Sequence, residues 1–209
     1  MDQPRRIDVI SDAICPWCWI GKRQLDTALT TLRQEGLRFS IHWRPFQLNP
    51  DMPEEGVERS AYRAAKFGSL ERSRELDAQV AEAGRGVGLD FRHDRMLRTP
   101  NTVQVHRLIR FAEGPLQHAL VEALFRAYFH EGQDVGDTAV VAEAAGSVGL
   151  DAAEFLAGHE QEEQVRAEDA YFRRIGISGV PSFALEGRVL FSGAWPADRM
   201  AELFARRAA

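Results

Sequence analysis

The chain has 209 residues and a net charge of −5, which suits one large domain or one domain with an insertion. Its 44% hydrophobic and 27% charged residues are ordinary for a globular protein, and the scattered basic residues give no sign of a nucleic-acid partner. No apolar run approaches the ~18 residues of a membrane span, and the N-terminus lacks the features of a signal peptide. We therefore expect a cytoplasmic protein with no membrane partner.

The first 50 residues predict a strand, a helix and a second strand. Residues 6–11 contain the β-branched Ile7, Val9 and Ile10, residues 16–35 carry a helical apolar stripe that ends near Gly36, and residues 37–44 alternate between apolar and polar. Two strands joined by one helix indicate a parallel βαβ unit. His42 lies on the polar side of the second strand, and we assign it no chemistry.

Between residues 55 and 176 the pattern is helical, and we find no convincing strand. Asn101 and Asp137 are predicted N-caps, and Asp151 with Glu154 resembles a capping box. Because these helices need a surface to pack on, we interpret residues 51–175 as an inserted helical subdomain. The predicted helices are 57–66, 69–83, 102–112, 116–130, 138–147, 152–157 and 160–174.

The C-terminal segment returns to strands. Residues 181–185 and 188–192 flank Glu186-Gly187, which predicts a hairpin with a tight turn, and a last helix opens at Trp195-Pro196. The order is βαβ, then helices, then ββα. It predicts an α/β thioredoxin fold built from the two ends of the chain, residues 1–50 and 176–209.

Cys15-Pro16-Trp17-Cys18 contains both cysteines of the chain and lies where the first strand meets the first helix. Residues three apart on a helix share a face, so the two sulfurs can bond. Pro16 suits the first helical position, and the helix N-terminus favours a thiolate at Cys15, the attacking species in disulfide exchange. We expect Cys18 to lie deeper and to resolve the mixed disulfide. The pattern predicts a redox pair that needs no bound cofactor.

Other interpretations of the pair stay open. A zinc site needs four ligands, so it requires a dimer or help from His42 or His106. A structural disulfide across three residues stabilises little chain, and two inert buried thiols are a third alternative. In the cytoplasm such a pair is more often catalytic than structural, and we predict no metal.

Polar and apolar residues around the pair have simpler interpretations. We expect Asp12 to cap its loop or to be solvated, and Asn101 and His106 to serve as a helix cap and a half-buried helix residue. Phe46, Met52 and the tryptophans near the pair fit either an apolar substrate surface or ordinary packing.

Motifs along nearly the whole chain match one family. With them the chain resembles the DsbA-like branch of the thioredoxin superfamily, and within it the FrnE-like cytoplasmic proteins. Trp19 and Trp195 depart from the family pattern, where we expect Tyr and Gln. The matching segments are Ser11-Asp12, Cys15-Pro16-Trp17-Cys18, Ile20-Gly21-Lys22-Arg23, Pro100-Asn101-Thr102, His106-Arg107-Leu108, 124–129, 176–181 and 192–194.

The resemblance implies a cis proline at Pro181 that faces the cysteines. Val180, Pro181, Pro16 and Trp17 are then the predicted substrate-binding residues, since backbone groups beside the proline are free to pair with an extended peptide. The implied function is thiol–disulfide exchange with protein thiols and disulfides or with glutathione, in either direction. Both a monomer and a homodimer are compatible with the sequence.

Two other functions stay open at this point. The same branch includes 2-hydroxychromene-2-carboxylate isomerases and kappa-class glutathione transferases, which carry Ser in place of the cysteine pair. Both cysteines are present here, which argues against a glutathione-dependent isomerase. A third alternative is a redox-switched chaperone or binding protein that presents a groove of the insertion to its clients.

Overall fold

The computed structural model describes residues 4–208, and its central sheet joins the two ends of the chain. Strand β1 pairs in parallel with β2 and antiparallel with β5, and β5 pairs antiparallel with β6. The sheet order is β2-β1-β5-β6, so the predicted thioredoxin fold is confirmed. Its strands are β1 Arg5–Ser11, β2 Phe39–Pro45, β5 Ser182–Leu185 and β6 Arg188–Ser192.

Helices account for most of the remaining described residues. A short π-helical turn, Ala127–Glu131, continues α5 and ends at Gly132, whose φ is +75°. The helices are α1 Pro16–Gln34, α2 Arg59–Phe67, α3 Leu70–Arg85, α4 Val103–Phe111, α5 Gly114–Arg126, α6 Thr138–Ser147, α7 Ala153–Ala157, α8 Glu162–Arg174 and α9 Ala197–Ala208.

The expectation of no strand between residues 55 and 176 is wrong in one place. Val57–Glu58 (β3) pairs antiparallel with Arg98–Thr99 (β4). A ladder of two residues is too short to produce a period-2 pattern in the sequence. Because of this ladder, α2 begins at Arg59 rather than at the predicted residue 57. The Glu58 carboxylate caps that helix by accepting hydrogen bonds from its first backbone N–H groups.

The predicted helix caps have mixed outcomes. The Asp137 carboxylate accepts a hydrogen bond from the Ala139 N–H at 2.8 Å, as predicted. Asn101 also accepts one, from Val103 N–H at 2.9 Å, although Thr102 is the residue at the N-cap position. Its amide donates to the carbonyl of Met52 at 2.7 Å, so Asn101 ties the start of α4 to the loop after β2.

A continuous core connects the sheet to the middle helices. Trp19 of α1 packs edge-on against Phe91 at 5.2 Å between ring centroids and is stacked against Phe129 at 5.9 Å. Such aromatic pairs contribute about 0.5–1.5 kcal/mol each beyond their burial. The helices of residues 51–175 are therefore packed directly on the helix that carries the cysteines, while the exact limits of that insertion stay a prediction.

Within residues 4–208, no helix combines the length and the apolar character that a membrane crossing requires.

Candidate active site

The backbone at the start of α1 holds the two cysteines one helical turn apart. Cys15 is the N-cap residue with extended backbone angles, and Pro16 follows at the first helical position. The Cys15 N–H donates to the carbonyl of Asp12, and the Cys18 N–H donates to the carbonyl of Cys15, each at 3.0 Å. This turn presents Cys15 at the helix end, where unpaired N–H groups favour an anion.

The two thiols are both free, but their surroundings differ. Cys15 is 4% exposed and its thiol donates to the carbonyl of Val180 at 3.5 Å, whereas Cys18 is 0% exposed. Burial raises the pKa of Cys18 well above its ordinary value, and the neighbouring Cys15 sulfur adds to the rise. Hydrogen bonds from Ser11 and from the backbone of Asp12 oppose it. Cys18 is therefore a protonated, enclosed thiol.

The Val180–Pro181 peptide bond is cis, and its residues lie beside Cys15. On α1, Gly21 allows the helix to approach this segment closely. A methyl group added there would lie 2.9 Å from Cγ of Pro181. Sequence reasoning did not assign Gly21 a role, although a glycine inside a helical pattern is a signal for close packing.

A groove of about 430 Å³ opens beside Cys15. One wall is the redox segment and the Val180 loop, and the other is built by α2, α3 and the segments around His93 and Tyr128. Trp17 is 42% exposed and lines the groove, as do Pro16 and Val180. The groove thus brings three of the predicted substrate-binding residues together, while their binding role stays a prediction.

Helix α2 gives the groove an excess of positive charge. Arg59, Arg63 and Lys66 line it, and Asp77 is the carboxylate among its lining residues in the described part of the chain. Asp77 accepts from Arg59 at 2.8 Å and from Arg63 at 2.6 Å, while the Lys66 ammonium donates to the Tyr62 hydroxyl at 2.5 Å. Three cations therefore face one carboxylate.

One other titratable group on this wall is neutral. Burial lowers the pKa of His93, which outweighs the opposing influence of Asp77. The His93 ring lies 3.9 Å from the Asp77 carboxylate. Because its pKa is lowered, the histidine adds no positive charge to the groove near pH 7.

Near the cysteines the structure corrects two expectations, for Asp12 and for His106. Asp12 is fully buried rather than solvated. One oxygen accepts from the Leu48 N–H, in the loop after β2, at 2.7 Å, and the other lies 3.3 Å from Nε2 of His106, so Asp12 bonds to distant segments rather than capping its own loop. His106 is also buried, at 3% exposure, rather than half-buried. Period and turn preference gave no sign of this pairing because the two residues are 94 positions apart in the printed sequence.

Most of the apolar residues near the pair belong to the core. Phe46, Met52, Trp19 and Trp43 are buried, so the tryptophan available to a substrate is Trp17. His42 lies in β2 opposite Asp8. Within residues 4–208, no three or more His, Cys, Asp or Glu side chains gather as a metal-binding group.

Comparison with known proteins identifies the class. The DSBA-like thioredoxin domain family matches residues 6–205, and the chain belongs to this family. The predicted DsbA-like branch is thereby confirmed, while the FrnE-like subfamily stays a prediction.

Three solved structures show how broadly the fold is used. The probable DsbA oxidoreductase SCO1869 from Streptomyces coelicolor is similar, with a TM-score of 0.84 and 29% identity over 97% of this chain and 89% of that one. A 2-hydroxychromene-2-carboxylate isomerase has a TM-score of 0.67 and 15% identity over 97% and 94% of the two chains. The cytosolic disulfide reductase DsbM from Pseudomonas aeruginosa with GSH has a TM-score of 0.65 and 22% identity over 98% and 100%. The last two show the fold alone.

Proposed function

We propose that this protein is a thiol–disulfide oxidoreductase in which Cys15 attacks and Cys18 resolves. The observation that carries the proposal is the asymmetry of the pair: one sulfur beside an open groove, the other fully enclosed one turn behind it. An exchange enzyme needs one accessible attacking thiolate and one thiol that waits for the mixed disulfide.

The reaction follows from this arrangement. The Cys15 thiolate attacks one sulfur of a substrate disulfide, the substrate S–S bond breaks, and the released thiolate takes a proton from water. Cys18 then loses its proton and attacks the Cys15 sulfur, which releases the second substrate thiolate and forms the Cys15–Cys18 disulfide. The two electrons come from the two cysteine sulfurs, so the chemistry uses no bound cofactor.

We propose small acidic thiols and disulfides of the glutathione type as substrates, with protein thiols as further partners. The groove of about 430 Å³ is in the size range of ligand sites, and its surplus of α2 cations favours an anionic ligand. The carbonyl of Val180 lies next to the attacking sulfur, and Trp17 and Pro16 line the same groove. Similarity in fold to a disulfide reductase whose structure contains GSH supports this choice.

We also propose a cytoplasmic location and work as a reductase or isomerase. A reducing cytosol keeps such a pair mainly as the dithiol, which favours reductase or isomerase work.

The test uses the two cysteine variants and oxidised glutathione. Reduced wild-type protein is expected to finish as an intramolecular disulfide, and Cys18→Ser to accumulate one glutathione per chain on Cys15, counted by mass spectrometry after an acid quench. Cys15→Ser is the matched control and should take up none. Catalytic reduction of a protein disulfide that survives unchanged in Cys18→Ser would contradict the resolving role.

A further inference from the structure

Strand β2 lies at one edge of the central sheet, and part of its backbone faces away from the sheet. The order β2-β1-β5-β6 leaves no described strand on the outer side of β2. The carbonyl of Arg38 accepts from β1 at 3.1 Å, whereas the N–H of Trp43 donates to the side chain of Gln117 at 2.8 Å. Because successive residues of a strand direct their backbone groups to opposite edges, the N–H and C=O groups of Phe39 and Ile41 face outwards. Such an edge is a template for an added strand.

A cleft of about 840 Å³ lies along this edge. Leu29 of α1 lines one side of the cleft, Pro115 of α5 lines the other, and Phe39 and Ile41 line it as half-buried residues. The volume is within the ~300–1,000 Å³ of ligand sites, and a strand segment such as 38–42 is about 13 Å long. The cleft therefore has room for a short extended segment beside β2.

The two faces of β2 at the cleft differ in chemical character. Phe39 packs against Phe204 of α9, with 6.0 Å between the ring centroids, so its side chain faces the helices. Side chains alternate along a strand, so Ile41 shares this apolar face, and Arg38 and His42 lie on the opposite face. An added strand alternates in the same way. It fits best if its side chains are apolar on the first face and polar on the second.

The exposed charges of the cleft are positive. Arg33, near the end of α1, and Arg38 are both exposed, and neither forms an ion pair with another described residue. Asp26 is the carboxylate among the described lining residues, and it is already bonded to Lys22 at 2.9 Å and to His118 at 2.7 Å. The cleft is therefore complementary to a ligand that brings carboxylates. A second copy of this strand would bring the same arginines, so charge favours a different, acidic partner.

We propose that this cleft binds an extended segment of a partner protein in which apolar and acidic residues alternate. The segment pairs with β2 as a fifth strand of the sheet. Its backbone bonds to Phe39 and Ile41, its apolar side chains lie beside Leu29, and its carboxylates face Arg38.

The cleft lies at the opposite end of the sheet from the cysteine pair. Arg5 pairs with Phe39 and Ile7 with Ile41, at the start of β1, whereas Cys15 follows the end of that strand. A strand of seven residues is about 20 Å long. A partner bound at the cleft thus leaves the groove beside Cys15 open, and the inference does not depend on the exchange function.

The probe is a blocked hexapeptide that alternates valine and glutamate, titrated into the isotope-labelled full chain and followed by the backbone amide resonances. The amides of Phe39 and Ile41 should shift in a saturable way, and those around Cys15 should not. The same peptide with lysine in place of glutamate should bind at least about 5-fold more weakly, because its charges oppose the cleft. Methylation of every peptide nitrogen removes the N–H donors and should weaken binding at least about 10-fold.

Arg38→Glu tests the charge on the protein side. It should weaken binding of the glutamate peptide roughly 5-fold and strengthen binding of the lysine peptide. Arg72→Glu, on an exposed residue of α3 outside the cleft, is the matched control and should change neither affinity. The amide spectrum of each free variant verifies that it is folded, as expected for changes at exposed positions.

Three results would overturn the inference. The first is the absence of saturable shifts at Phe39 and Ile41, or shifts confined to the surroundings of Cys15. The second is equal affinity for the glutamate, lysine and methylated peptides. The third is a shift of the same two amides when the protein is concentrated without peptide, which would assign the edge to a second copy of the chain.

Discussion

The two sides of the cysteine pair differ in nearly every physical property. In front of Cys15 lies an open groove of about 430 Å³ with more cations than carboxylates. Cys18, one helical turn away, is fully enclosed by the protein. A single helical turn of α1 thus separates a sulfur that lies beside the groove from one that the protein encloses.

These surroundings are consistent with the different roles that the proposed mechanism gives to Cys15 and Cys18. Cys15 lies at the helix end beside the open groove, whereas burial raises the pKa of the Cys18 thiol well above its ordinary value. The wall of the groove comes from α2, α3 and the Val180 loop, whereas Cys18 is enclosed within the core. Changes to the groove wall should therefore alter substrate binding without changing the burial of Cys18.

The largest effect is expected from removing the front sulfur. Cys15→Ser should abolish disulfide exchange, because no other thiol reaches the groove in the described chain. The measurement is the rate of glutathione release from oxidised glutathione under single-turnover conditions. Cys18→Ser is the matched variant, and it should retain the first release. Exchange that persists in Cys15→Ser contradicts the assignment of the attacking sulfur.

The next effect concerns the packing that positions the wall of the groove. Gly21→Ala places a methyl 2.9 Å from Pro181, and such overpacking costs about 1–3 kcal/mol, partly offset by the ~1 kcal/mol that alanine contributes to a helix. We expect a net loss of stability, measured by urea unfolding, together with slower exchange.

Gly146→Ala is its control. Gly146 lies within α6 with nothing within 4 Å of the added methyl, so the same substitution should stabilise by up to ~1 kcal/mol. If the two variants change stability alike, the contact between Gly21 and Pro181 is not what determines the outcome.

A smaller effect tests the charge of the groove. Lys66→Met keeps much of the aliphatic stem and removes one α2 cation, so KM for oxidised glutathione should rise roughly 2- to 5-fold, as for an exposed ion pair. The effect should shrink as salt is added. Arg72→Met removes an exposed cation of α3 that pairs with Glu75 outside the groove, and it should leave KM unchanged. An equal rise in both variants argues against a local anion site.

The smallest expected effect concerns Asp26 of α1, which lies outside the groove and away from the cysteine pair. Burial raises the pKa of Asp26, but the hydrogen bond from His118 and the charge of Lys22 outweigh it, so the pKa lies below the ordinary 3.8. A depressed carboxyl pKa adds stability above the unfolded value, and that contribution is lost as pH falls through the folded value. Asp26→Asn should therefore be less stable than wild type at pH 6, with a smaller difference below pH 3.8. A difference that stays constant with pH contradicts the charged partnership.

Much of the fold was predictable from the sequence because the patterns that indicate its strands, helices and turns involve neighbouring residues. The strand–helix junction, the cysteine spacing and the Glu186-Gly187 turn each depend on residues close together in the chain, and the turn has φ of 50° and 79° at these two residues. Helix α6 has the predicted bounds because its cap, Asp137, directly precedes it.

The rest depends on contacts between distant segments. In the sequence, Asp12 is typical of a turn residue. In the structure, it is enclosed by the loop after β2 and by helix α4. In the sequence, the α2 cations are typical of an exposed helix face. They line a groove only because α2 and α3 lie beside the redox segment. The β3–β4 ladder joins segments about 40 positions apart in the printed sequence and has no local pattern. The cysteine motif therefore predicted where the site lies, whereas the groove beside it depends on packing between distant segments.

The most direct measurement is the redox equilibrium of Cys15 and Cys18 in glutathione buffers, followed by tryptophan fluorescence. Trp17 is exposed beside Cys15 and Trp19 is buried next to Cys18, so the emission should report the state of the pair. The mechanism predicts one reversible transition with the glutathione dependence of a two-electron dithiol couple, absent in Cys18→Ser. A transition that is missing in the wild type, or that persists unchanged in Cys18→Ser, contradicts a resolving pair.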